Sequence, residues 1–257
     1  MTIFQAILLG VLQGVTEFLP ISSSGHLVVL PALLGWQFDP EAAFVFDVWV
    51  QLGTLLAVIV YFWGDLWRIA KATLTLLWQP EQWSQTDARL GVYLAVATVP
   101  AVVAGLLFQD AIEAFFSNAH ATAVFLLFTA VLLAFAEWMG KRSRELDSLI
   151  WLDALVMGCF QALALLPGVS RSGSTITGGM LRNLERGAAA RFSFLMSVPV
   201  MLGAGVFTGA AFVNSPAFAG LMPQIGAGLL AAGGVGVPSI HWLLRFVTRR
   251  TVGGVSF

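Results

Sequence analysis

The sequence predicts an all-α integral membrane protein, an inverted-topology repeat with two re-entrant helical hairpins and about five full transmembrane helices. Three observations carry this. Of 257 residues, 58% are hydrophobic and 11% charged, against about 25% charged in a soluble domain. That is too little charge to cover a water-facing surface. Five stretches, near 43–63, 90–109, 120–139, 191–213 and 220–240, are apolar over the roughly 20 residues a bilayer crossing needs. Two further stretches, beginning at Gln13 and Gln161, share one pattern: Gln, apolar helix, Pro, then Ser-x-Ser-Gly.

Residues 3–19 form one apolar segment, a polar break from Pro20 to Gly25 follows, and 26–35 form a second, short segment. Neither segment spans alone, so 3–35 reads as a hairpin that dips into the membrane and returns to the same face. In the span 43–63, Asp47 lies early, where a role facing the site and a structural role are equally open. The polar connection 65–89 reads as a surface linker without chemistry. Spans 90–109 and 120–139 follow, with Glu137 an i,i+4 partner for Lys141. Residues 149–166 and 174–182 repeat the hairpin layout, with Asp153 at the interface. In the last span, Gly233, Gly234 and Pro238 predict a break.

Smaller features agree. Trp36, Trp63, Trp67, Trp138, Trp151 and Trp242 fall near segment ends, as in an interfacial aromatic belt. His120 and His241 lie at span ends and read as interfacial. Cys159, the single cysteine, reads as a small buried hydrophobe, and one cysteine allows no disulfide within the chain. Met1 to Ile3 lack the positive charge of a cleavable signal peptide. A net charge of −1 argues against a nucleic-acid partner.

The basic residues set the path. Arg68, Lys71 and Arg89 follow the first span, and Lys141, Arg142 and Arg144 the third. Arg182, Arg186 and Arg191 precede the fourth; Arg245, Arg249 and Arg250 follow the fifth. The loops 110–119 and 214–219 have none. Positive-inside logic places all twelve in the cytoplasm and leaves Arg171 alone within the membrane. The path closes only if both motif stretches are hairpins, one entering from outside and one from the cytoplasm. The first repeat is then residues 1–140 and the second, inverted, 149–257, with a site where the two breaks meet. The rival reading, one kinked full span over 3–35 and another over 149–182, puts the 36–42 loop inside and upsets the later charges.

The breaks hold the chemistry. Lipid cannot satisfy polar groups, so those at membrane depth pair with protein or line a cavity. Glu17 lies four residues after Gln13, on the same helix face. A carboxylate there can accept a proton or hold a cation. Ser22, Ser23, Ser24, Gly25 and His26 open a short helix, whose free N–H groups suit an anion. A hydroxyl beside His26 and Glu17 is a candidate nucleophile, although serine also caps helices in the ordinary way. Arg171 suits bidentate phosphate binding, the alternative being an internal ion pair with Glu17. Ser170, Ser172, Gly173, Ser174 and Thr175 complete the second break.

Together these residues resemble the bacterial undecaprenyl-diphosphate phosphatase family of the bacitracin-resistance type. Its first motif, Glu/Gln-x-x-x-Glu, matches Gln13 to Glu17 and runs on through Pro20 to His26. Its second, Pro-Gly-x-Ser-Arg-Ser-x-x-Thr, matches Pro167 to Thr175. The resemblance implies removal of the terminal phosphate of a C55 isoprenyl diphosphate, which recycles the carrier for peptidoglycan synthesis and confers bacitracin resistance. It implies a bacterial cytoplasmic-membrane location, a site open to the outer face, and a divalent cation, Mg²⁺ or Ca²⁺, as cofactor. The cation would be held by Glu17 and Gln13, with catalytic roles for Glu17, Ser23, His26 and Arg171. Gln13, Ser22, Ser24, Gly25, Ser170, Ser172, Gly173, Ser174 and Thr175 would join Arg171 in binding substrate. The resemblance also implies inverted repeats with re-entrant hairpins, often paired as a homodimer.

Two departures stand out. Many members have Glu where this chain has Gln13. Members usually have six full spans, and the repeat offset puts a partner for 120–139 beyond Phe257, so five spans and a cytoplasmic C-terminus are expected. The alternative function is a transporter or flippase of the polyprenyl phosphate carrier, since inverted repeats with broken helices are also a transporter layout.

Overall fold

The computed structural model describes residues 1–116, 119–139, 141–212 and 216–252. Parts of the two expected base-free loops (117–118 and 214–215), residue 213, Gly140 and the stretch after Val252 lie outside the described residues, as do the side chains of Arg249 and Arg250.

The described elements are helical. Helix α1 (Ile3–Thr16) starts at a capping box between Thr2 and Gln5. After the break, α2 spans Ser23–Leu33. The chain continues through α3 (Pro40–Tyr61), α4 (Trp63–Thr75), α5 (Thr86–Leu107), α6 (Gln109–Phe116) and α7 (Ala119–Met139). The second half holds α8 (Trp151–Leu163), α9 (Arg171–Leu181), α10 (Arg186–Phe212) and α11 (Pro216–Val252). Among the described residues five helices, α3, α5, α7, α10 and α11, are long and apolar enough to cross a membrane. The protein is a multi-pass, all-α membrane protein. Trp63, Trp67, Trp138 and Trp151 are exposed near helix ends, and Trp242 is exposed within α11.

Several elements differ from expectation. The 65–89 segment is mostly helix: α4 followed by a 3-10 turn over Pro80–Ser84. The one buried residue of α4 is Ile69, while Asp65 pairs with Arg191 at 2.5 Å. A one-sided helix tied by an ion pair suits a membrane surface, and loop-like composition hid it. Much of the expected 110–119 loop is α6. Helix α11 runs unbroken through Gly233, Gly234 and Pro238. Neighbouring helices and hydroxyls can re-satisfy backbone freed by proline; here α11 packs along α1 and α3, and Ser239 Oγ donates to the Val235 carbonyl at 2.9 Å.

The first helices of the two helix–break–helix units bury four equivalent positions. Ala6, Leu9, Gly10 and Gln13 are buried on α1, and Ala154, Met157, Gly158 and Gln161 on α8. Helix α1 lies against α11, and α8 against α5. A methyl group on Gly10 would strike the Gly228 carbonyl, and one on Gly158 would come within 2.5 Å of the Ala97 carbonyl. In lipid no hydrophobic gain drives helices together, so close backbone approach at small residues carries the association.

Two side chains correct the sequence reading, and a third gains partners the sequence did not show. Asp153 is fully buried within the protein: Arg144 reaches it at 2.6 Å, Arg182 at 2.7 Å, and the Ile150 N–H at 3.0 Å. Three donors compensate a carboxylate that burial alone would make costly. Glu137 pairs with Arg142 and Arg186 rather than with Lys141, because α10 brings Arg186 to the end of α7. Cys159 is exposed; Gly158 turns toward α5, and the next residue points away.

Candidate active site

The first break starts where α1 ends. Glu17 caps that helix and is buried, and Phe18, also buried, packs edge-on against Phe194 with ring centres 5.5 Å apart. The anchored ring fixes the backbone that carries Glu17. Ser22 closes the break at φ 64°, a left-handed conformation unusual for a residue with a Cβ. Its hydroxyl caps α2 by accepting the Gly25 N–H at 3.4 Å and meets Ser24 Oγ at 3.2 Å.

The second break repeats the cap. Ser170 Oγ accepts the Gly173 N–H at 3.1 Å and meets Ser172 Oγ at 3.2 Å. Gly168 makes the turn at φ 93°, pressed against the Thr122 carbonyl. The Ser170 N–H donates to Thr129 Oγ1 at 3.1 Å, which ties the break to α7.

The two breaks meet at Glu17. Oε1 accepts from Arg171 Nη2 at 2.8 Å. Oε2 accepts from Ser23 Oγ at 2.5 Å and from Gln13 Nε2 at 2.9 Å. Ser172 Oγ donates to the Leu19 carbonyl at 3.0 Å, a second tie between the breaks. The internal ion pair that the sequence left as an alternative for Arg171 is therefore present. His26 points Nδ1 at the Ser22 carbonyl, 2.7 Å away. A carbonyl only accepts, so Nδ1 carries a proton and Nε2 is the ring nitrogen left to exchange one.

The remaining predicted residues stand further back. Thr175 Oγ1 donates to the Arg171 carbonyl at 2.8 Å and lies 2.6 Å from Ser193 Oγ. Ser174 is buried and its hydroxyl has no partner. Asp47 does not join the Glu17 cluster; it lines a separate cavity of about 220 Å³ with Met1, Leu9, Leu27, Val28, Pro31, Phe38 and Ala43.

Sequence reasoning missed Ser193. Its carbonyl accepts from Arg171 Nη1 at 3.4 Å and its hydroxyl meets Thr175, so one residue of α10 steadies both. A serine within an apolar span was the available signal, and Thr129 in α7 gave the matching one. Also missed was the Leu19 carbonyl, which no side-chain pattern can show.

The cluster suits phosphate chemistry. It offers a fork-shaped cation, a hydroxyl whose proton already points at a carboxylate, and two capped helix N-termini. Arg171 Nε is buried without an acceptor. For a divalent cation, Gln13 Oε1 is a buried oxygen without a partner beside Glu17. Among the described residues no group of three or more His, Cys, Asp or Glu could cage a metal. The donors fit a hard cation that keeps much of its shell from water and phosphate oxygens, as Mg²⁺ and often Ca²⁺ do.

Comparison with known proteins places the chain. Residues 6–255 match the family described as bacitracin resistance protein BacA. An undecaprenyl-diphosphatase of Chlorobium phaeovibrioides is 42% identical over 262 residues, covering 98% of this chain and 91% of the relative. One from Nocardioides sp. is 42% identical over 247 residues, covering 96% and 89%. One from Chloroherpeton thalassium is 46% identical over 214 residues, covering 80% and 75%. The chain belongs to the BacA family.

Proposed function

We propose that this chain hydrolyses undecaprenyl diphosphate to undecaprenyl phosphate and inorganic phosphate, recycling the lipid carrier for cell-wall synthesis. Membership of a family whose relatives are named undecaprenyl-diphosphatase supports the reaction. The observation that carries the mechanism is the convergence of Ser23 and Arg171, from opposite halves of the chain, on one carboxylate.

Arg171 clamps the diphosphate, with its buried Nε–H supplying a donor to a phosphate oxygen. The N–H groups at the starts of α2 and α9 orient the terminal phosphoryl group. Glu17 takes a proton from the nucleophile, which is Ser23 Oγ or a water held in its place. Attack at the terminal phosphorus breaks the anhydride bond and releases the lipid monophosphate. If Ser23 attacks, water then hydrolyses the phosphoserine; either route consumes one water per phosphate released. His26 Nε2 is the group suited to move the proton between site and solvent. A divalent cation, held by Glu17 and Gln13 together with phosphate oxygens, would offset the charge on the transferring group.

This reading puts the protein in the bacterial cytoplasmic membrane as two inverted halves, with the site opening outward and the arginine-rich loops inside. It predicts cation-dependent phosphate release from C55 diphosphate by the purified protein in detergent. Glu17→Gln should lower that release by about 10²–10⁴-fold, the usual contribution of a general base. Full activity in that variant would remove Glu17 from the chemistry.

A further inference from the structure

We infer that the Arg171–Glu17 ion pair is a latch that keeps the divalent cation from binding until a diphosphate draws Arg171 away. The inference rests on the diphosphate reading above and concerns the order in which the site fills.

Among the described residues Glu17 is the single carboxylate of the cluster, since position 13 is Gln and Asp47 faces another cavity. Both its oxygens are engaged, one by Arg171 and the other by Ser23 and Gln13. The pair is enclosed: the Glu17 side chain is 4% exposed and that of Arg171 13%. Water therefore screens it little, and the two charges cancel. A divalent cation arriving alone would meet a neutralised carboxylate and a guanidinium roughly 5 Å away. At an effective dielectric of about 20 that repulsion lowers cation affinity by about 100-fold or more. Arg171 has a further tether beside Glu17, since Nη1 lies 3.4 Å from the Ser193 carbonyl.

A diphosphate changes the balance. It offers the guanidinium bidentate acceptors of higher charge than one carboxylate, including one for the unpartnered Nε–H. Once the guanidinium turns to phosphate, Glu17 Oε1 is released. With the unpartnered Gln13 Oε1 and the phosphate oxygens it then forms an oxygen set suited to Mg²⁺ or Ca²⁺. The coupling is reciprocal: the cation must tighten diphosphate binding by the factor by which diphosphate tightens cation binding.

The test is Ca²⁺ binding to the full chain in detergent, followed by calorimetry without substrate. The expected result is no Glu17-dependent binding in the wild-type chain. Binding at least about 100-fold tighter should appear in Arg171→Gln and vanish in the Arg171→Gln/Glu17→Gln double variant. Glu17-dependent Ca²⁺ binding of equal strength in wild type and Arg171→Gln would overturn the latch, as would its absence from folded Arg171→Gln. If that variant does not fold, Gln13→Glu decides. A second carboxylate free of Arg171 should admit Ca²⁺ without substrate, and failure to do so rejects the proposed cation position. Neither arm requires turnover, so the hydrolase reading and the latch stand or fall separately.

Discussion

The two helix–break–helix units share a skeleton and differ in what they hang on it. Ser22 and Ser170 cap their second helices in the same way, each bonding the glycine N–H three residues on and the serine hydroxyl two residues on. The buried stripes of α1 and α8 coincide. Chemistry enters where equivalent positions diverge: Glu17 against Leu165, Ser23 against Arg171, His26 against Ser174. Packing diverges too. Every residue from Ser172 to Met180 of α9 is buried, whereas α2 exposes Val28, Val29 and Leu33. Ser22 sits at φ 64°, while Ser170 keeps an ordinary φ of −68°. The strained, lightly covered unit carries the acid, the hydroxyl and the imidazole. The locked unit carries the permanent charge. On the proposed mechanism, the first unit reacts and the second holds charge.

The sharpest way to break that division is Arg171→Ala. If the second unit's task is to hold charge, phosphate release should fall by about 10³-fold, the upper range for losing one key electrostatic donor. Release within a few-fold of wild type would leave the second unit a structural echo of the first. A smaller effect is expected at Ser193, which acts through Arg171 and Thr175 rather than on substrate. Ser193→Ala removes one buried hydroxyl contact, about 1 kcal/mol, and should lower kcat roughly fivefold with little change in KM or thermal midpoint. A drop in thermal midpoint without a change in kcat would make Ser193 structural only. The smallest effect belongs to Ser174, the counterpart of His26. Its hydroxyl is buried without a partner, so Ser174→Ala should change phosphate release by less than about twofold and leave stability level or slightly higher. A large loss would show that the second unit also reacts.

Much of the site was legible because membrane depth makes polar residues conspicuous. Glu17, Ser23, His26 and Arg171 stand out against apolar runs, and the repeated Pro and Ser-x-Ser-Gly pattern aligns them. Their partnerships were not legible. Arg171 and Glu17 meet across 154 positions, and no local periodicity links residues so far apart. At Asp153 and Glu137 the sequence suggested an interfacial carboxylate and a local lysine partner. The folded chain brings them arginines from the end of α9 (Arg182), from α10 (Arg186) and from the segment before α8 (Arg142 and Arg144). Helix α4 was read as a linker because one buried isoleucine in a polar stretch is a weak periodic signal.

By itself the sequence determined the membrane class, the five long apolar helices and the two polar breaks. These follow from composition and length, which a bilayer reads directly: an apolar run of sufficient length inserts, and a polar interruption must find protein. Tertiary structure alone decided which protein it finds. The crossings of α1 on α11 and α8 on α5, set by Gly10 and Gly158, bring the breaks close enough for Ser172 to reach the Leu19 carbonyl and Arg171 to reach Glu17. Hydrogen bonds weaken over a few tenths of an ångström, so those pairings depend on helix positions that no single segment specifies.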